Sequence, residues 1–158
     1  MKKAGKLILS VLITEVPGFL SGAAAISAEG LYESLALPAF APPPAVFRVV
    51  WPALYLLMGI VLYRLRFLLP EREDSEALSE ANNFFMVQLA ISYLWTPIFF
   101  ILNNFWAAFF WIVLLFFTAV VSFLKTKKAD RISSYLYVPY LLWIIFAAVL
   151  NFSAAVMN

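Results

Sequence analysis

The sequence predicts an all-α membrane protein, a bundle of five transmembrane helices with a long proline-rich loop between the first and second. Three observations carry that prediction. Of the 158 residues, 65% are hydrophobic and only 13% are charged, against about 45–50% and about 25% in a soluble domain. One water-facing core of this size cannot hide so much apolar surface, and the mean hydropathy of +0.92 points the same way. Apolar runs near the roughly 20 residues needed to cross a bilayer occur five times. Finally, Lys and Arg sort onto one side of the resulting topology, which a missed or extra span would scramble.

The first span runs from about Leu7 to Ala28. Its apolar region is too long for a signal peptide and four more spans follow, so it reads as a mature helix. It carries Glu15, which is either a functional group, as an intramembrane carboxylate is by default, or a side chain that is protonated or reaches water at the interface. Gly18-Phe19-Leu20-Ser21-Gly22 is a small-xxx-small pattern that lets another helix approach closely.

Residues 29–45 form the predicted loop, with Leu37-Pro38-Ala39-Phe40-Ala41-Pro42-Pro43-Pro44 at its heart. Prolines at this density hold the chain near the extended polyproline conformation. One of Pro42 to Pro44 fits the first turn of the next helix, where a missing N–H costs nothing. The run reads as a stiff connector or as a lid.

The second span covers about 46–68, the third 82–102, the fourth 104–124 and the fifth 132–157. Only a turn at Asn103 and Asn104 separates the third from the fourth. The fourth has neither proline nor glycine and reads as lipid-facing aromatic scaffold. Each of the other four contains one internal proline, Pro17, Pro52, Pro97 or Pro139. Each proline removes a helical hydrogen bond, which a membrane helix tolerates only where the freed carbonyl finds another partner.

Trp106 sits at a span end, as interfacial tryptophans do. Trp51, Trp95 and Trp143 lie deeper, each within four residues of a proline. Their indole N–H groups need acceptors when buried, and the freed carbonyls are one supply. At helical spacing Trp51 pairs with Tyr55; Gln88, Ser92, Trp95 and Phe99 share a face; and so do Tyr140, Trp143, Ala147 and Asn151. Any one stripe is ordinary helix packing. Three at one depth predict an aromatic cavity with a few polar groups in the outer half of the bilayer, the usual form of a small-molecule site.

Ten of the eleven basic residues fall on one side: Lys2, Lys3, Lys6, Arg64, Arg66, Arg72, Lys125, Lys127, Lys128 and Arg131, with only Arg48 opposite. This predicts a cytoplasmic N-terminus, with the loop and C-terminus outside. The acidic residues Glu71, Glu73, Asp74 and Glu76 count little in this rule.

The chain has no Cys and no His. Disulfides, thiolate chemistry and the usual zinc and haem ligands are therefore excluded, and no metal site or required cofactor is expected. A net charge of +2 gives no argument for nucleic acid. No Lys lies within a span, so a retinal Schiff base is excluded. No internal repeat and no ring of charge marks a secondary transporter or a pore.

Four motifs in order resemble the tryptophan-rich sensory protein / translocator protein family, once called peripheral-type benzodiazepine receptors. "LYESLALPAFAPP" is similar to the family's Trp-Tyr-x-x-Leu-x-Lys-Pro-x-Trp-x-Pro-Pro loop, and "VVWPALYLLMG" to its Trp-x-x-Leu-Tyr-x-x-Met-Gly helix. "QLAISYLWTPIFF" resembles Gln-Leu-Ala-x-Asn-x-x-Trp-x-Pro-x-Phe-Phe. "VPYLLWIIFAAVLNF" resembles Pro-Tyr-x-x-Trp-x-x-Phe-Ala-x-x-Leu-Asn. The resemblance spans nearly the whole chain. It implies a pocket below the first loop that binds porphyrins such as protoporphyrin IX and synthetic benzodiazepine-type and isoquinoline ligands, with cholesterol added in animal members.

Carried over, the pocket uses Tyr32, Pro42, Trp51, Tyr55, Trp95, Trp143 and Ala147, with Ser92 in place of the family's Asn. The implied role is a membrane receptor or carrier for porphyrins, commonly a homodimer. One alternative is light- and oxygen-dependent porphyrin breakdown, with Trp51 and Trp143 as the candidate residues; a further one is small-molecule transport. Leu31 and Phe40 stand where the family has Trp, and Leu37 where it has Lys, which removes a cation from the loop. Phe152 and Val156 replace the Tyr and Arg of the animal sterol motif.

Overall fold

A computed structural model of the protein describes residues 2–27, 29–70 and 76–158. The expected end of the first span at Ala28 lies outside the described residues, as do Glu71, Arg72, Glu73 and Asp74. The elements are α1 (Lys3–Ser27), α2 (Glu29–Ser34), α3 (Pro44–Tyr63, continued by a π-helical turn at Arg64–Leu68), α4 (Glu76–Phe100), α5 (Phe105–Ala129) and α6 (Arg131–Met157). Among the described residues there is no strand. Five helices among the described residues are long and apolar enough to cross a membrane.

The connection from α1 to α3 differs from the predicted continuous loop. Its first part winds into the six-residue helix α2, and only residues 35–43 are irregular. Pro44 opens α3, where its missing N–H would have had no helical partner. The turn into α5 places Asn103 at φ 50, a left-handed conformation that Asn tolerates better than most residues. The Asn104 side chain then caps α5 by accepting from the Ala107 N–H at 3.0 Å.

The long helices close a ring in the order α1, α3, α6, α5, α4. At one end, called upper here, lie α2 and residues 35–43; at the other lie the Arg64 turn and the α5–α6 junction. The Asn158 amide joins the upper end together. It donates to the Ala36 carbonyl at 3.0 Å and accepts from the Ala36 N–H at 2.9 Å.

The lower half is solid. Phe85, Met58, Leu62, Leu115, Tyr137 and Tyr140 are fully enclosed, and hydroxyls bond between helices within them. Tyr140 donates to the Gln88 side-chain oxygen at 2.9 Å, and Ser122 and Tyr137 share a 2.7 Å bond. Below them Arg64 grips Asp130 through Nε at 2.7 Å and Nη2 at 3.1 Å. Asp130 also caps α6 by accepting from the Ser133 N–H at 3.0 Å. Burial works against ionisation of Asp130, yet the bonds from Arg64 and Ser133 outweigh it and hold the carboxyl down to about 2.

Two of the carbonyls freed by prolines are met in a reciprocal way, by hydroxyls rather than indoles. Pro17 frees the Ile13 carbonyl, and the Tyr93 hydroxyl reaches it at 3.3 Å and the Thr14 carbonyl at 2.9 Å. Pro97 frees the Tyr93 carbonyl, and the Ser21 hydroxyl donates to that. Helices α1 and α4 thus repair each other's gaps. Between α1 and α3 the approach is close at Gly59. A β-carbon there would stand 2.7 Å from Val11 Cα and 2.8 Å from Thr14 Oγ1.

Candidate functional site

The upper half of the ring is not filled. A cavity of about 440 Å³ lies between α1, α3, α4 and α6, beneath the α1–α3 connection, within the size range of small-molecule sites. The turn-by-turn spacing of α3 brings Phe47, Arg48, Trp51 and Tyr55 to it. Trp95, Thr96 and Phe99 come from α4; Ala147, Asn151 and Ala154 from α6; and Glu15, Gly18 and Gly22 from α1. Tyr32 and Leu37 reach it from the connection.

The walls are mainly aromatic carbon. Trp51 stacks on Tyr55 at 5.6 Å with 25° between the rings, and faces Trp95 at 6.2 Å and 33°. The Trp95 indole is fixed by donating to Asn151 Oδ1 at 2.9 Å, while Asn151 Nδ2 donates to the Phe105 carbonyl at 2.9 Å. That bridge spans α4, α6 and the start of α5. At the floor the Tyr55 hydroxyl meets Ser92 Oγ at 3.1 Å, and the Cδ2–Cε2 side of the Tyr55 ring lies against Gly18, where a β-carbon would come within 2.5 Å of it. At the roof Tyr32 donates to the Pro42 carbonyl at 2.9 Å. Burial pushes its phenol above the ordinary range, so it keeps its proton for that bond.

Of the residues singled out in the sequence, Tyr32, Trp51, Tyr55, Trp95 and Ala147 line the cavity. Three stand one layer back. Ser92 is buried beneath Tyr55. Pro42 holds Tyr32 through its carbonyl. Trp143 packs its ring edge-on against Trp51 at 6.4 Å and against Phe47 at 5.7 Å. Its indole nitrogen is buried without a hydrogen-bond partner among the described residues. Trp143 shares its helix face with Ala147 and Asn151, but its ring packs against Phe47 and Trp51, which line the cavity in its place.

Reading the sequence missed Arg48, Thr96 and Phe47. Arg48 was used only for topology, and its place seven residues before Tyr55 on the same helix was the available signal. Asn151 belonged to a recognised stripe, but its tie to the Trp95 indole needed the fold. Glu15 was weighed between two readings, and it faces the cavity.

The profile of the TspO/MBR family matches residues 10–157. The chain belongs to the TspO/MBR family. Other members resemble it over most of their length. The protein CrtK of Rhodobacter capsulatus is 37% identical over 127 residues, covering 80% of this chain and 78% of that one. The tryptophan-rich protein TspO of Archaeoglobus fulgidus is 32% identical over 154 residues, 97% of each chain. The sheep (Ovis aries) translocator protein is 30% identical over 141 residues, 86% of this chain and 80% of its own. As a TspO/MBR protein with five apolar helices, the chain is a multi-pass integral membrane protein.

Proposed function

We propose that this protein is a membrane receptor or carrier that binds protoporphyrin IX, or a related flat tetrapyrrole, in the cavity of its upper half. The observation that carries this reading is the Trp51 ring, stacked on Tyr55 and packed beside Trp95 in the wall of a cavity of about 440 Å³. Aromatic faces of this kind take a flat π-system by offset stacking, and the α1–α3 connection contributes Tyr32 and Leu37 to the lining above them. With no His or Cys, the chain offers no usual axial ligand, so the metal-free ring suits it better than haem. The distribution of Lys and Arg supports a cytoplasmic lower end, with the connection and the C-terminus outside. The family resemblance supports a homodimer.

The test is quenching of tryptophan fluorescence by protoporphyrin IX in purified protein. Trp51→Phe and Trp95→Phe are each expected to weaken binding roughly tenfold, the loss of about 1–1.5 kcal/mol of aromatic contact. Unchanged affinity in both variants overturns the reading.

A second reading, breakdown of the bound porphyrin by light and oxygen, draws on the contacts of Trp51 with Trp95 and Trp143, which leave three indoles within reach of one electron hole. Illuminating the same samples separates the two: a new absorbing product, lost in Trp143→Phe while binding persists, favours it.

A further inference from the structure

The cavity carries charge at two levels. Among the described residues that line it, Glu15 and Arg48 are the charged side chains. Glu15 follows Thr14, whose hydroxyl donates to the Tyr55 carbonyl at 2.9 Å, and so stands level with Tyr55 at the floor. Arg48 precedes Tyr55 by seven residues on α3, about 10 Å higher at 1.5 Å per residue. Between them the walls are rings. The cavity therefore has a carboxyl group at the bottom and a guanidinium near its mouth.

We propose that Arg48 is the specificity-determining anion anchor of this cavity, selecting ring-shaped apolar ligands that bear a carboxylate and seating them with that carboxylate toward the connection. This rests on the reading of the cavity as a tetrapyrrole site. A ligand carboxylate turned downward would meet a second carboxyl group, Glu15, and no cation. Turned upward, it meets a planar guanidinium whose fork matches two carboxylate oxygens. Arg48 is itself exposed, so the carboxylate keeps part of its hydration and escapes most of the cost of burying an ion pair. The roof cannot substitute, because Leu37, which lines the same upper part, is uncharged.

The experiment compares protoporphyrin IX with its dimethyl ester, which has the same ring but no charge, by fluorescence quenching of the wild type, Arg48→Gln and Arg48→Lys. The wild type is expected to hold the diacid more tightly than the ester. Arg48→Gln is expected to weaken the diacid roughly five- to tenfold and to leave the ester within about twofold. Arg48→Lys is expected to recover part of the loss, since it keeps the charge without the fork. Retained ester binding also shows that the variant is folded. Equal weakening of both compounds, no weakening of either, or a wild type that prefers the ester overturns the assignment. A wild type quenched by neither compound instead sinks the tetrapyrrole reading, and the anchor with it.

Discussion

Three glycines on the α1–α3 face do different work, and each can be read by what a methyl group would meet. At Gly59 an added β-carbon runs into the backbone of Val11, which has no rotamer to yield. At Gly18 it meets the Tyr55 ring. At Gly22 it meets nothing within 4 Å, and Gly22 lines the cavity. Gly59→Ala is therefore expected to destabilise the protein by about 1–3 kcal/mol, seen as a lower unfolding temperature in detergent. Gly22→Phe is expected to leave that temperature nearly unchanged and to cost at least about tenfold in porphyrin affinity by filling the volume. The small-xxx-small spacing of Gly18 and Gly22 was visible in the sequence, but not that one glycine admits a neighbouring ring and the other leaves a void. That difference depends on which helix lies opposite, and local spacing carries no information about it.

At the scale of elements, the apolar runs identified the long helices because each must bury its backbone in hydrocarbon. Where polar residues extend a helix into the interface, that signal fades. Helix α4 begins at Glu76, six residues before the apolar run, and the Glu80 on that extra turn bonds Lys125 of α5 at 2.7 Å. Helix α2 was invisible for a related reason: six residues with few apolar positions show no period. The junction of α5 and α6 depends on Asp130. Its carboxyl is held down to about 2, below its ordinary value of 3.8. The stability it contributes is present above about pH 4 and is lost as the pH falls from about 4 toward 2. Asp130→Asn keeps a competent helix cap but removes the charge opposite Arg64. It is expected to lower stability by about 1 kcal/mol at neutral pH, after allowing for solvent screening, and to flatten the acid limb between about pH 4 and 2 in a thermal-melt series. An equally steep limb in the variant would assign the acid sensitivity to other groups.

The whole molecule is a ring of helices with a solid lower half and a hollow upper one. The stripes in the sequence located the hollow because tryptophan and hydrogen-bonding residues at one depth have few other uses in a bundle. They could not tell wall from second layer, which is why Trp143 stands behind Trp51, nor could they place Arg48 and Glu15 at its two levels. Orientation in the bilayer is testable directly, since the chain has no cysteine of its own. A single cysteine at Ala39 is expected to react with a membrane-impermeant maleimide in intact cells. One at Lys127 is expected to react only after lysis, and the reverse pattern inverts the topology.

The bonds exchanged between Tyr93, Ser21 and the proline gaps of α1 and α4 also bear on biogenesis. The tyrosine that completes the broken turn of the first segment stands about eighty residues further along the chain, and so is made after it. That segment must enter the bilayer with its gap served by water or lipid headgroups. It reaches its final form only when the third span arrives, so the two mature as a pair.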